Sequence, residues 1–163
     1  MININNAVQF QHLIWDRIMK SASVVVDATC GNGHDLLYLA ERAQSECHLY
    51  GIDIQEQAVS ASRELLASKK LQSNVTITFL HNSHDIALHQ EIKENTIDLI
   101  IFNLGYLPGG DHSIITRPHN TIEALNNAFP KLAKDGIITI VAYPGTPEGM
   151  EEKEALQDRK SVV

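Results

Sequence analysis

Val24-Val-Val-Asp27-Ala-Thr-Cys-Gly31-Asn-Gly33-His-Asp35 passes within twelve residues from an apolar, β-branched run to a glycine turn. It then enters the helical spacing of Leu36, Leu37, Leu39 and Ala40. A short, wholly apolar run that stops at an acid is how a strand buried on both faces of a parallel sheet reads. Similar runs recur at His48–Ile52, Val75–Phe79, Leu99–Phe102 (stopping at Asn103) and Ile137–Val141, which predicts five strands. Helical spacing separates them: Ala58, Ala61, Leu65 and Leu66 after the second, and Ile122, Leu125 and Phe129 before the fifth. Ahead of the first strand, Val8, His12, Trp15 and Met19 predict another helix, packing on the sheet or roofing the site. This alternation predicts an α/β fold with a doubly wound, mostly parallel, Rossmann-like sheet and ligands beyond the carboxyl ends of its strands. The interval from Leu104 to Thr121 holds Gly105, Pro108, Gly109, Gly110 and Pro118. It exceeds the usual connection of ~4–6 residues and predicts a functional loop.

With 163 residues, 44% hydrophobic and 20% charged, the chain is long enough for one core and reads as a single domain, 1–163. Its 13 Lys and Arg against 20 Asp and Glu give a net charge of -7. That is the wrong sign for gripping phosphate backbones by bulk charge, so any nucleic-acid contact has to be local. Two cysteines, Cys30 and Cys47, do not make a disulfide scaffold or a four-ligand zinc site and fit a reducing compartment. Neither the opening Met1 to Asn6 nor any later apolar run suits a signal peptide or a membrane span, so a cytoplasmic location and no membrane partner are expected. His81-Asn-Ser-His84 has near-ligand spacing without the three or four ligands of a metal site, and no metal is expected.

Gly31 and Gly33 permit positive φ and a close approach of ligand to backbone, while the following helix start offers unpaired N–H groups. The third glycine that would seat a pyrophosphate is absent, its place being taken by Leu36. Asp27, four residues before Gly31, instead puts a carboxylate where the ammonium of an amino-acid moiety can meet it. Asp53, twenty-two residues after Gly31, ends the second strand and can accept both hydroxyls of a ribose. S-Adenosylmethionine carries both groups and no pyrophosphate, and is the expected cofactor. Thr29 and Asn32 in the turn and Gln55 behind Asp53 are further candidate contacts; Ser83 and His84, after the third strand, are placed for the adenine ring. These residue types also suit simple turns and helix caps, and Cys30 suits a small filler inside the turn.

The fourth strand ends in Asn103-Leu-Gly-Tyr106, followed by Leu107-Pro-Gly-Gly-Asp111. In amine-directed methyltransferases a strand-end Asn or Asp, two prolines and an aromatic hold a target nitrogen and stack its base. Leu104 and Gly105 replace the prolines here. Asn103 is thus the candidate for orienting an acceptor amine, Tyr106 for packing its base, and Asp111 for taking a proton. An alkylammonium titrates near ~10, as lysine does, so it has to lose a proton before attacking a methyl group.

Together with Ala142-Tyr-Pro-Gly145, these two runs resemble the small "putative rRNA methylase" family of Rossmann-type, class I methyltransferases, over about Ala7 to Gln157. The resemblance implies an S-adenosylmethionine-dependent enzyme. Some members are tRNA methyltransferases that convert wobble 5-aminomethyl-2-thiouridine to its methylaminomethyl form, which implies a tRNA partner. An rRNA or small-amine acceptor, and a nucleotide-binding module without catalysis, stay open as alternatives. Relatives in that family continue past the fifth strand through a helix and an antiparallel strand pair. This chain closes with Asp158-Arg-Lys-Ser-Val-Val163, which resembles a translated sequencing adapter. A C-terminally truncated member, ending its native sequence after about residue 157 and lacking the terminal antiparallel strands, is therefore expected. Its fifth strand would present a hydrophobic edge suited to a homodimer.

Overall fold

The computed structural model describes residues 7–105, 117–143, 145 and 147–160. Helix α1 (Ala7–Ile18) leads into β1 (Val24–Asp27), α2 (His34–Ala40), β2 (Cys47–Asp53), α3 (Glu56–Ala67) and β3 (Val75–His81). The second half runs through α4 (His84–Ile86), β4 (Ile97–Leu104), α5 (Pro118–Ala128), β5 (Leu132–Ala142) and α6 (Pro147–Lys160). The strands lie in the order β3-β2-β1-β4-β5, with every neighbouring pair parallel. All five predicted strands are present, and the doubly wound arrangement follows from their near-continuous apolar runs. Val25, Val26, Leu99, Ile100, Ile101 and Phe102 are fully buried because β1 and β4 are covered on both faces.

Alternation along β4 divides the core. Leu99 and Ile101 face the layer of Trp15, Met19, Leu36 and Leu39. Ile100, Phe102 and Leu104 face that of Leu88, Ala124 and Leu125. Asn103 therefore belongs to the side covered by α1 and α2. Helix α1 runs against the strand direction, and Trp15 Nε1 donates to Thr139 Oγ1 on β5 at 3.1 Å. Nearer the start of α1, His12 Nε2 lies 3.6 Å from Asp35 Oδ1, and the other oxygen of Asp35 accepts from Asn103 Nδ2 at the end of β4. The start of α1 thus roofs the carboxyl end of β4, the role expected for that helix.

Two features depart from the sequence reading. Phe129, placed on a buried stripe, is 49% exposed: α5 ends at Ala128, and Pro130, which has no N–H to donate, sits in a short 3-10 turn (Phe129–Lys131). Between β3 and β4 the chain forms α4 and a π-helical continuation (Ala87–Glu91), too short for periodicity to reveal. Helix α6 continues through Asp158 to Lys160 and packs on α5, where the buried Glu152 accepts a hydrogen bond from Thr121 Oγ1 at 2.5 Å. Ile137 and Ile140 of β5, at the edge of the described sheet, are each a little over one-third exposed. Among the described residues no helix is long and apolar enough to cross a membrane.

Candidate active site

The strand order reverses between β1 and β4, which opens a crevice at their carboxyl ends. The turn after β1 is anchored to both neighbouring strands: Ala28 N donates to Ile101 O at 2.9 Å and Cys30 N to Ile52 O at 2.8 Å. Gly33 has φ +83°, and a Cβ there would lie 2.8 Å from Ser62 Cα, so the turn can pack on α3 only as glycine. Cys30 is buried, its thiol pushed up by burial, and Ser62 Oγ donates to its sulfur at 3.6 Å; the filler reading fits.

Two carboxylates flank this turn. Asp27 is buried; its Oδ1 accepts from Thr29 N at 3.1 Å, and its Oδ2 has no partner among the described residues. Burial, then the nearby Asp35, push its pKa well above the usual carboxylate range. Ionised Asp27 therefore opposes folding: that cost is absent at low pH and grows as pH rises from the ordinary carboxylate value to the raised one. A bound cation would offset it. Asp53 is also raised by burial, but its oxygens are organised, Oδ2 accepting from Gly31 N at 3.0 Å and Oδ1 from Gln55 N at 2.9 Å. It keeps lone pairs for a ligand and at the same time sets the shape of the glycine turn. Gln55 is buried, with Oε1 unpartnered among the described residues, and Asn32 sits between the two glycines.

Thr29 Oγ1 accepts from Asn103 N at 2.8 Å, tying the turn to the end of β4, and its own O–H can still donate. The Asn103 side chain donates from Nδ2 to Asp35 Oδ2 at 2.5 Å, while its Oδ1 is buried and without a partner among the described residues. The other oxygen of Asp35 lies 3.6 Å from His12 Nε2. His12 is held flat on Tyr38, with ring centroids 3.7 Å apart, and the Arg42 guanidinium covers the opposite face of Tyr38 at 3.3 Å. Asp16 fastens that stack, accepting from Tyr38 Oη at 2.9 Å and Arg42 Nε at 2.8 Å. On the same roof Gln11 is only 4% exposed, with both amide atoms unpartnered among the described residues.

Ser83 and His84 lie beyond β3, as expected. Ser83 Oγ donates to Asp85 Oδ1, and Asn120 Nδ2 donates to Ser83 Oγ at 3.4 Å. His84 is buried edge-on to Phe102, with Nε2 unpartnered among the described residues, and burial lowers its pKa. His81 instead meets Ile54 O at 3.0 Å. Among the described residues no three His, Cys, Asp or Glu converge as a metal site would require. The structure thus gathers Asp27, Thr29, Gly31, Gly33, Asp53 and Asn103 around one crevice. Tyr106 and Asp111 lie outside the described residues. Asp35, His12 and Gln11 were missed in the sequence: Asp35 sits within the quoted turn motif, and His12 reads as part of an apolar stripe.

Comparison with known proteins agrees with this geometry. A family profile described as "Putative rRNA methylase" matches residues 49–161. A chloroplastic tRNA (mnm(5)s(2)U34)-methyltransferase of Arabidopsis thaliana is 33% identical over 157 residues, covering 93% of this chain; the chain spans 57% of that relative's length. A crystal structure described as a putative rRNA-methylase from Clostridium thermocellum superimposes with a TM-score of 0.89 at 38% identity, over 99% of this chain and 85% of the other. A putative methyltransferase from Streptococcus mutans, solved in complex with SAH, has a TM-score of 0.82 at 29% identity, over 98% of this chain and 83% of the other.

Proposed function

The chain belongs to the rRNA methylase family, and from that premise we propose that it is an S-adenosylmethionine-dependent N-methyltransferase acting on the aminomethyl group of wobble 5-aminomethyl-2-thiouridine in tRNA. The observation that carries this reading is the Asn103 carboxamide, whose donor is engaged by Asp35 while its acceptor is buried and unpaired among the described residues. Such an oxygen suits an N–H donor, and a primary amine supplies one while keeping its lone pair for attack. Asp27 Oδ2, buried without a partner among the described residues, fits the methionine ammonium, and Asp53 fits the ribose. Exposed Ile54, just past the end of β2, and Ile86, at the end of α4, offer apolar surface to a flat adenine beside Ser83 and His84. S-Adenosylmethionine supplies a sulfonium-bound methyl group that needs no further activation. The chain's own residues then have to hold the deprotonated amine in line with that methyl, which is where most of the rate arises. Tyr106 and Asp111 keep their proposed roles as base platform and proton acceptor.

The test is incubation with S-adenosylmethionine and tRNA bearing 5-aminomethyl-2-thiouridine, followed by mass spectrometry of the nucleosides. A methyl group gained at that nucleoside is the expected result. Methylation confined to rRNA or a free amine would move the acceptor assignment, and bound cofactor without turnover on any of them would make the chain a binding module. Gln11→Leu provides a second check on the roof of the pocket. Removing a buried carboxamide that is unpaired among the described residues is expected to leave stability unchanged or raise it by about 1–2 kcal/mol in urea unfolding, while methylation falls. A drop in stability of that size would show Gln11 to be a structural residue.

A further inference from the structure

The orientation of the Asn103 carboxamide decides whether the acceptor meets an oxygen or an NH2 group, and the strand alone cannot set it. Rotation about the last side-chain bond exchanges the two with little change in shape. Asp35 breaks that symmetry. It is acceptor-only when ionised, and its Oδ2 stands 2.5 Å from Asn103 Nδ2. Its second oxygen faces His12 Nε2 at 3.6 Å, and His12 is held by its stack on Tyr38 and Arg42. Both carboxylate oxygens thus face fixed groups on two other elements, and Asp35 itself sits in the first turn of α2, immediately after the glycine turn. The strand fixes the backbone of Asn103, through its register with Val141 on β5 and its N–H to Thr29 Oγ1, and leaves the carboxamide orientation to Asp35.

We propose that Asp35 is a positioning residue for methyl transfer: it holds the Asn103 carboxamide with Oδ1 turned toward the acceptor amine and excludes the flipped form, in which Nδ2–H would donate to the amine's lone pair and withhold it from the methyl group. This rests on the N-methyltransferase reading given above. With a carboxamide at position 35 either orientation of Asn103 can pair, and the bias is lost. A turned or displaced acceptor group of this kind costs up to about 100-fold in rate.

The test is D35N with its exchange partner, D35N/N103D, in which the hydrogen bond is rebuilt with the donor now on position 35 and an oxygen facing the acceptor either way. D35N is expected to lower kcat on aminomethyl-bearing tRNA by about 10- to 100-fold, with the KM for tRNA and the affinity for S-adenosylhomocysteine changed less than about threefold. The exchange is expected to recover about tenfold or more of that loss. Near-normal kcat in D35N would overturn the proposal. So would a joint loss of cofactor affinity and turnover that the exchange does not repair, which would make Asp35 a support of the turn only. An arm independent of activity is the side-chain NH2 resonance of Asn103, identified by its disappearance in N103D. It is expected downfield in the wild-type chain and shifted toward free carboxamides in D35A, and an unmoved resonance overturns the proposal. If the wild-type chain methylates no aminomethyl-bearing tRNA, the acceptor reading fails and the resonance still decides the role of Asp35.

Discussion

Asn103→Ala is expected to lower single-turnover methylation by ~100-fold or more while affinity for S-adenosylhomocysteine changes less than about threefold. The split follows from which atoms the substitution removes. The link from Asn103 to the cofactor turn is a backbone one, N–H to Thr29 Oγ1 at 2.8 Å, and alanine keeps it. Gly31, Gly33 and Asp53 are likewise organised without the Asn103 side chain, through Asp53 Oδ2 on Gly31 N and the tether of Cys30 N to Ile52 O. What alanine removes is the carboxamide, whose Oδ1, unpartnered among the described residues, is the proposed contact for the acceptor. Single-turnover assays at saturating cofactor, set beside calorimetry with S-adenosylhomocysteine, check both halves. Near-normal turnover would make Asn103 a turn residue held by Asp35. A loss of affinity matching the loss of rate would place it in the cofactor site instead.

The sequence disclosed what is local and concealed what is not. Asp27, Gly31 and Gly33 fall on one strand-turn-helix unit, and Asp53 ends the next strand, so spacing alone assembled them; the parallel register of β1 and β2, with Asp27 opposite Gly51, then brings them side by side. Asn103 was legible because it closes an apolar run of buried strand. Its partner Asp35 was not, because that contact joins residues 68 positions apart and depends on how α2 lies over β4. His12 entered the reading as one position of an apolar stripe, yet the roof presents its imidazole to Asp35. Gln11 lies off the stripe of Val8, His12, Trp15 and Met19 and reads as an ordinary polar helix position, although its burial places a polar group where packing alone would favour leucine. Phe129 shows the converse error, since helical spacing extended it onto a buried face that α5 stops short of reaching.

Asp53→Ala is expected to weaken S-adenosylhomocysteine binding by about 1.5–3 kcal/mol, roughly 10- to 150-fold in Kd, the range for hydrogen bonds made to a charged group. Two losses combine. The ribose hydroxyls lose their carboxylate acceptor, and the N–H groups of Gly31 and Gln55, bonded to Asp53 at 3.0 and 2.9 Å, lose the group that orders the turn and the start of α3. Because burial raises the Asp53 pKa, its ionised form carries a desolvation cost in the free chain. Removing it therefore lessens one destabilising contribution, and the apo protein is expected to unfold with little net change in urea midpoint. That separates a binding defect from a folding defect. Calorimetry with S-adenosylhomocysteine and with NAD decides the matter: unchanged affinity for the former, or tighter binding of NAD by the unaltered chain, would overturn the cofactor assignment. Asp53→Asn refines it, since the carboxamide can accept from only one side. Recovery of part of the lost affinity in that variant would assign the remainder to the second oxygen and its negative charge.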